Sequence, residues 1–307
     1  MLMLTIHAAG PVSDSAMETL RDCDHAINLV LHRGVSSKPD GDQLTCLVPR
    51  EVVARLLCDL EDAGVDEHNA TLILDDPTTV LGDLAVRAER DAHGAPSDAL
   101  VWPALRASTS MASELSTAYL ALMALATILA SIGLLTSSSV LIVGAMILGP
   151  EFGALAHLCV STLGRDLRGV GASLTQLMLG FASAVLATGA FVFTADALSM
   201  IDTSALSPEF ERAIVSTSWI GFITACVAGV AGVLTMTSAK GEALIGVLVS
   251  VTTIPAAADM SLGLATADGS RFLTAGETLL VNLGGIVLAG ATTLVVYRTL
   301  QPARGST

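Results

Sequence analysis

Charged residues are scarce in this chain of 307 residues: Asp, Glu, Lys and Arg make up 14% of it, against 52% apolar residues. A soluble globular domain needs about 25% charged residues to cover its surface, so the composition excludes an ordinary soluble protein. The shortage is uneven, because residues 117–307 hold only 7 basic and 10 acidic residues, whereas residues 1–116 hold 8 and 19. The sequence therefore predicts a soluble acidic domain followed by a part suited to a lipid bilayer.

Basic patches and catalytic motifs are missing as well. Binding to nucleic-acid phosphates needs a basic face, so the acidic excess of residues 1–116 excludes nucleic acid as a partner. The five cysteines and six histidines lack the spacing of a zinc site or a disulfide framework, and neither a metal nor another cofactor is expected. HExxH, P-loop and GxSxG motifs are absent from the sequence, which argues against an enzyme.

Residues 1–78 show the pattern of a small α+β domain. Apolar residues alternate from Leu2 to Ala8, as in a half-buried strand that Gly10-Pro11 closes. Ser13 or Asp14 can cap a helix that runs to about Cys23. Strand, strand, helix and strand follow at 26–32, 43–48, 50–64 and 70–74, with a loop at 34–42. This βαββαβ order is the ferredoxin-like pattern. By analogy with other domains of that shape, we expect a regulatory domain that senses a nucleotide or metabolite effector.

Residues 79–116 connect the soluble domain to the membrane part. Most of this segment is polar, but Trp102, Leu105 and Met111 lie among polar residues just before the first apolar stretch. This pattern favours an interfacial elbow helix over about 99–115. Because no secretory signal is visible at the N-terminus, the linker and the preceding domain are expected in the cytoplasm.

Six apolar stretches, each with at most one charged residue, are long enough to cross a membrane, which takes about 20 residues each. They lie at 118–135, 139–163, 170–193, 214–236, 243–265 and 276–297. Sliding the sequence by 105 residues aligns the first three stretches with the last three and places Pro150 on Pro255. Because each repeat has an odd number of spans, the second must cross in the opposite sense. The sequence thus predicts a polytopic α-helical membrane domain of two inverted three-helix repeats.

The distribution of basic residues gives the orientation. Lys and Arg accumulate in cytoplasmic loops. With the N-terminal domain inside, the inside segments hold five basic residues and the outside segments two, namely Arg165, Arg168, Lys240, Arg298 and Arg304 against Arg212 and Arg271. Both termini are therefore expected in the cytoplasm of a bacterial-type cell membrane.

Proline interrupts the middle span of each repeat, at Pro150 and Pro255. Such breaks at membrane depth persist only where protein or water covers them. Glu151 follows the first proline directly, and Asp259 follows the second by one turn. A charge at the bilayer centre costs about 3 kcal/mol, and no Lys or Arg lies in a predicted span to pair with these carboxylates. Paired broken helices with carboxylates indicate a transport or ion-binding site, and a pair of packing kinks is the alternative.

Other polar residues in the spans are candidates for the same site. Thr252 and Thr253 offer hydroxyls beside Pro255, and Gln176 and Asn282 fall at nearly equivalent places in the two repeats. These side chains either line one cavity or link helices to each other. His157 is more simply a hydrogen-bonded packing residue. Small residues at helical spacing indicate close helix packing, namely Ala145, Gly149, Gly153, Gly221, Ala225 and Gly229.

Three stretches carry a resemblance to a known family. They are SSSVLIVGAMILGPEFGAL, TTIPAAADMSLGLA and NLGGIVLAG, and over about residues 100–297 the chain resembles the uncharacterised hydrophobic membrane proteins called DUF389. The resemblance implies a multi-span membrane domain, often with a small soluble regulatory domain, and no agreed substrate. Family members commonly have Pro-Leu-Met-Gly-Pro after the AM pair, whereas this chain differs there, which implies that Glu151 is particular to its branch.

These features together favour a transporter or channel for a small solute or ion, regulated by its cytoplasmic domain. The expected divisions are 1–78 for the soluble domain, 79–116 for the linker and elbow helix, 117–298 for the membrane domain with repeats at about 117–194 and 213–298, and 299–307 for a cytoplasmic tail. The close-packing glycines and the elbow helix favour a homo-oligomer. The alternative is a membrane-anchored ligand sensor whose spans serve only assembly.

Overall fold

The structure is a computed structural model that describes residues 1–38, 40–66, 68–77, 79–92, 102–201, 203, 210, 219–237 and 242–300. It contains two compact units, one within residues 1–105 and the other within residues 106–300. Three of the basic residues on which the orientation rests lie outside the described residues, namely Arg212, Lys240 and Arg304.

The first unit is built around a four-stranded antiparallel sheet. Its elements are β1 (Leu2–Ala8), α1 (Gly10–Asp22), β2 (Ile27–Ser37), β3 (Asp40–Val48), α2 (Arg50–Asp62), β4 (Ala70–Asp75) and α3 (Asp83–Asp91). The strand order is β2-β3-β1-β4, with every neighbouring pair antiparallel. The predicted βαββαβ order is therefore present, and α3 follows it.

Alternation along the central strands places the core of this unit on one face of the sheet. Every second residue of β1 and β3 is buried and packs with apolar residues of α1 and α2. The side chains that form this core include Leu4, Ile6, Leu44, Cys46, Ala16, Leu20, Val53, Leu56 and Leu60. On the opposite face, Met3, Val30 and Ile73 are each more than a third exposed.

The hairpin between β2 and β3 is longer than the sequence indicates. Most of the predicted loop at 34–42 is strand, because the carboxylate of Asp42 holds the hairpin to α1. Asp42 is 6% exposed and accepts hydrogen bonds from Ser13 Oγ at 2.5 Å, from the Gly34 amide at 2.9 Å and from Arg33 Nη1 at 3.0 Å. The hydrogen bond from Ser13, then that from Gly34 and the charge of Arg33, hold the pKa of Asp42 below its usual value.

Asp42 is expected to make the hairpin sensitive to acid. A carboxyl whose pKa is lower in the folded state stabilises the fold above its unfolded pKa of about 3.9, and this contribution is lost as the pH falls through the folded pKa. We therefore expect Asp42→Asn to speed hydrogen–deuterium exchange of residues 27–48 at neutral pH, and we expect the difference from the wild type to shrink in acid. Mass spectrometry of the full chain measures this exchange.

Asp40 provides the matched control for that experiment, because it lies exposed on the same hairpin. Asp40→Asn removes the same charge without removing these hydrogen bonds, so its exchange should stay at the wild-type rate. Equal exchange rates in the two variants would contradict a stabilising role for Asp42.

The second unit is a bundle of helices. Its elements are α4 (Trp102–Ala112), α5 (Thr117–Leu135), α6 (Ser139–Leu148), α7 (Glu151–Leu163), α8 (Leu167–Ala197), α9 (Trp219–Thr237), α10 (Glu242–Ala265) and α11 (Gly269–Leu300). Four of these, α5, α8, α9 and α11, are long and apolar enough to cross a membrane, and the bent pair α6 and α7 would be a fifth span. The remaining predicted span, 243–265, coincides with α10, which is helical but does not join that group within the described residues.

Many apolar side chains of these helices point away from the bundle. In the most apolar stretch of α9 only 28% of the residues are buried, and in that of α11 only 33%. Large apolar side chains are exposed along the outer faces, including Met178, Leu186, Trp219, Ile220, Leu280 and Leu288. An exposed apolar surface of this extent is compatible with a protein embedded in a membrane.

Small residues let the helices approach closely, as the sequence indicates. Ala145 and Ala225 are fully buried. A Cβ atom on Gly229 of α9 would overlap the backbone carbonyl oxygen of Ile286 in α11, and a Cβ on Gly285 would lie 3.1 Å from that of Ala225. Helices α9 and α11 thus cross at backbone contact.

Helix α4 lies where the sequence predicts the elbow helix, and its last two turns lie alongside α7. A Cβ on Gly164 would lie 3.1 Å from the Arg106 guanidinium, and Ser113 Oγ is 2.9 Å from His157 Nδ1. Seven residues separate the two contacts on both segments, so the chain from 106 to 113 runs antiparallel to α7. Through these contacts, the segment that leads into α5 packs against α7.

Candidate functional site

The predicted break at Pro150 is present. Helix α6 ends at Leu148 and α7 begins at Glu151, and the two are bent by 53°. Pro150 cannot donate a hydrogen bond to the carbonyl of Met146, and Gly149 takes an extended conformation with ψ 118°. The break leaves Glu151 as the first residue of α7, where the helix dipole and the unpaired amides of the first turn favour a negative charge.

Glu151 is completely buried and contacts helix α10 of the second unit. Thr253 of α10 donates a hydrogen bond from Oγ1 to Glu151 Oε1 at 2.8 Å, and both side chains are 0% exposed. Thr253 lies two residues before Pro255, just as Glu151 lies beside Pro150. The two proline segments singled out by the sequence therefore meet at this contact.

The break predicted at Pro255 is wrong. Helix α10 runs without interruption from Glu242 to Ala265, with the proline inside it. Pro255 leaves the helix one backbone hydrogen bond short, and a neighbouring helix supports the turn: Asn282 of α11 donates from Nδ2 to the carbonyl oxygen of Thr252 at 2.8 Å. Thr252 also places a buried hydroxyl here, and Oγ1 has no hydrogen-bond partner among the described residues.

The expectation that no Arg pairs with the two carboxylates is wrong for Asp259. Arg271 donates from Nε to Asp259 Oδ1 at 2.6 Å, and Nη2 contacts the same oxygen. The arginine was assigned to a loop, but α11 begins at Gly269, which places it in the first turn of that helix. Asp259 lies six residues beyond Thr253, or about 9 Å along α10. It therefore forms an ion pair near the end of the helix, whereas Glu151 bonds to Thr253.

Gln176 and Asn282 contact different partners. Gln176 is 1% exposed and donates from Nε2 to the carbonyl oxygen of Glu114 at 3.4 Å, while its Oε1 has no partner among the described residues. Nearby, His157 Nδ1 lies 2.9 Å from both Ser113 Oγ and Ser173 Oγ. His157 is thus a hydrogen-bonded packing residue, as expected.

Sequence reasoning missed Tyr119. This residue of α5 is 5% exposed, and its hydroxyl has no hydrogen-bond partner among the described residues. Its ring packs directly on Gly180 of α8, where a Cβ would lie 2.7 Å from the phenol oxygen. The sequence gives little signal for it, because a tyrosine near the start of a span is ordinary, although the chain has only two tyrosines.

The site therefore combines one buried carboxylate with hydroxyl groups and proline-disturbed backbone. Within the described residues, no three His, Cys, Asp or Glu side chains come together to hold a metal ion. A single carboxylate among hydroxyls, set at a helix break inside an apolar bundle, can bind a proton or a small cation.

Comparison with known proteins gives one match. No curated protein matches the chain, and no solved structure matches it. The family whose description is "Domain of unknown function (DUF389)" matches residues 146–288, a segment that runs from the end of α6 into α11 and contains Glu151, Thr253 and Asp259. The resemblance indicated by the sequence is therefore confirmed over residues 146–288.

Proposed function

We propose that this protein is a transporter or channel for a small solute or ion in a bacterial-type cell membrane. The observation that carries the proposal is the fully buried Glu151 at the helix break, hydrogen-bonded to Thr253. Placing a carboxylate at membrane depth costs about 3 kcal/mol. A bundle that served only as an anchor would gain nothing from that cost, which disfavours the alternative of a membrane-anchored sensor.

The contact between the proline segments supports two inverted repeats. The 105-residue offset equates Pro150 with Pro255, and the structure joins Glu151, beside the first proline, to Thr253, beside the second. A two-fold axis in the membrane plane that relates Pro150 to Pro255 would pass close to this contact. We propose six spans in which α10 is the fifth, with both termini in the cytoplasm. Transporters of this design bind their substrate where the repeats meet.

The first unit is proposed to sense an effector such as a nucleotide or metabolite. Helices α1 and α2 cover one face of its sheet, and the other face leaves Met3, Val30 and Ile73 exposed. An open sheet face of this kind offers a surface for an effector or for a second copy of the chain in a homo-oligomer.

The proposed function is tested by the flux of ions and solutes into proteoliposomes. The probes are protons, sodium, potassium and chloride, with osmotic swelling as the probe for uncharged solutes. For any probe that the wild type conducts, Glu151→Gln is expected to lower the flux by about tenfold or more, because it removes the charge while keeping the shape of the side chain.

Glu277→Gln is the matched control, because Glu277 is exposed on α11. It should leave the flux at the wild-type level. A probe that crosses equally well through the wild type and the Glu151 variant would show that the translocation path lies elsewhere. Flux of no probe at all, from protein that purifies as a single species, would favour the sensor.

A further inference from the structure

Besides the Thr252 hydroxyl described above, two buried polar groups near Glu151 have no hydrogen-bond partner among the described residues. They are the hydroxyl of Tyr119, 5% exposed, and Oε1 of Gln176, 1% exposed. A buried polar atom left without a partner is costly, and in native proteins such atoms are commonly satisfied by an internal water. Where Tyr119 and Gln176 lie relative to Glu151 therefore decides what an internal water beside them could contact.

The way in which α7 pairs with α8 gives the depth of Tyr119 and Gln176 relative to Glu151. Ser161 lies against Gly169, and His157 lies against Ser173. The two helices are thus antiparallel, because moving back four residues along α7 corresponds to moving forward four residues along α8. Continued for six residues, this register places Glu151 opposite residue 179. Tyr119 covers Gly180, so its hydroxyl lies at the level of Glu151.

Gln176 lies between Tyr119 and the partly exposed His157, so these polar residues form a line along α8. It lies four residues before Gly180, and therefore one turn away on the same face of α8. Its amide bonds to the carbonyl of Glu114, and one turn further lies Ser173, which contacts His157. Polar groups thus lead from His157, on the side of the membrane where α4 enters, through Gln176 and Tyr119 to Glu151.

The chemistry of this line suits a proton better than a metal ion. A metal such as Ca²⁺ needs about six oxygen ligands, several of them carboxylates, and no cluster of three acidic or other metal-binding side chains occurs in the described part of the chain. A proton needs one carboxylate and a row of hydroxyls or waters that both accept and donate. Glu151 supplies the carboxylate, and the Tyr119 hydroxyl and Gln176 Oε1 are polar groups to which waters could bind to complete such a row.

We propose that Glu151 is a proton-binding site that exchanges its proton with the α4 side of the membrane through Tyr119 and Gln176. The inference rests on the proposed transport function, in which that side is cytoplasmic. In the uptake step, a bridging water gives a proton to the Glu151 carboxylate and takes one from the Tyr119 hydroxyl, which has no direct hydrogen-bond partner among the described residues. The Tyr119 hydroxyl in turn accepts a proton from a hydronium held beside Gln176. The tyrosine returns to its neutral form, the glutamate becomes neutral, and the hydronium becomes water.

Few other titratable groups face this line. On the elements that pack around α7 and in the turns that follow α4 and α7, the described titratable residues besides Glu151 and Tyr119 are Arg106, Glu114, His157, Cys159, Arg165, Asp166, Arg168, Asp196, Cys226, Asp259, Arg271, Glu277, Tyr297 and Arg298. The side chains of Arg106, Glu114, Arg165 and Asp166 are exposed. Asp259 and Arg271 pair with each other, Glu277 is exposed, and Arg168 and Asp196 lie at the two ends of α8. Helix α6 has none. Glu151 is thus the one acidic side chain on the line.

Infrared difference spectroscopy of the full-length protein tests the proposal without any transported solute. A protonated-carboxyl band that titrates between acid and alkaline pH should be present in the wild type and missing in Glu151→Gln. On transfer to D2O, the band should shift quickly in the wild type. In Tyr119→Phe the band should remain, because Glu151 is intact, but it should shift about tenfold or more slowly.

Tyr297→Phe is the matched control, because it changes the only other tyrosine, near the end of α11. It should exchange at the wild-type rate. Wild-type exchange in Tyr119→Phe, or no titrating band that depends on Glu151, would overturn the proposal. The two proposals fail separately: proton exchange without flux of any probe rejects transport alone, whereas sodium or chloride flux without proton exchange at Glu151 rejects the proton site alone.

Discussion

Replacing Arg271 with glutamine is expected to destabilise the membrane unit by about 3–5 kcal/mol. The reason is that Asp259, 7% exposed, would lose the guanidinium that compensates its charge, while Arg271 itself is only 15% exposed. Removing one partner of a buried ion pair leaves an uncompensated charge, which costs more than the pair itself contributes. Chemical unfolding of the purified protein, followed by circular dichroism, measures the loss.

The double variant Asp259→Asn with Arg271→Gln shows whether the loss in Arg271→Gln comes from the uncompensated charge of Asp259 or from a general defect in packing. It removes both charges together, so we expect it to recover most of the stability lost in Arg271→Gln. Arg298→Gln is the matched control, because Arg298 is exposed near the other end of α11, and it should change the stability by less than about 0.5 kcal/mol. Equal losses in the Arg271 and Arg298 variants would show that the ion pair is not a buried one.

The same ion pair shows where hydropathy fails as a predictor. An apolar window cannot locate the start of a helix whose first turns carry charged residues. The last span is therefore predicted from residue 276, although α11 begins at Gly269. Arg271 therefore looked like a loop residue. Its pairing with Asp259 depends on how two helices meet at their ends, and spacing along one sequence does not contain that information.

Pro150 and Pro255 show why a proline predicts a break less reliably than it predicts a missing hydrogen bond. Both residues lack the amide proton, and that loss is local and visible in the sequence. Whether the helix then bends depends on neighbouring side chains. At Pro150 the helix breaks after Gly149, whereas at Pro255 the helix continues, with Asn282 bonded to the carbonyl of Thr252. The sequence named Asn282 as a candidate but did not identify its partner.

The candidate site was predictable residue by residue but not as an arrangement. Glu151 and Thr253 were both singled out, because acidic and hydroxyl groups in an apolar span are unusual. Their hydrogen bond joins residues 102 positions apart, so it follows from the packing of α7 on α10. Tyr119 was missed for the opposite reason: an aromatic residue at the start of a span is ordinary, and its burial beside Glu151 appears only when α5 packs on Gly180.

The first unit was more predictable, because its signals are local. Alternating apolar residues in β1 and β3 coincide with the buried face of the sheet. The exception is the long hairpin, whose extra residues depend on Asp42 accepting hydrogen bonds from α1 and β2. A carboxylate in a predicted loop gives no sign of such partners.

Gly229→Ala is expected to destabilise the membrane unit by about 1–3 kcal/mol, and Gly229→Leu by more. A Cβ on Gly229 would overlap the carbonyl oxygen of Ile286 and lie 3.0 Å from its Cα. Both are backbone atoms, so only a separation of α9 from α11 relieves the overlap. The gain in helix propensity on replacing glycine with alanine, up to about 1 kcal/mol, opposes this loss without removing it.

Gly284→Ala separates the two effects. Gly284 lies on the exposed side of α11, and a Cβ there would meet nothing within 4 Å. The propensity gain then acts alone, so Gly284→Ala should leave the stability unchanged or raise it slightly, while Gly229→Ala lowers it in the same unfolding assay. Because both substitutions add one methyl group to a helix, opposite signs assign the difference to the crossing of α9 and α11. A Gly229 variant as stable as the Gly284 variant would mean that these helices do not meet at backbone contact.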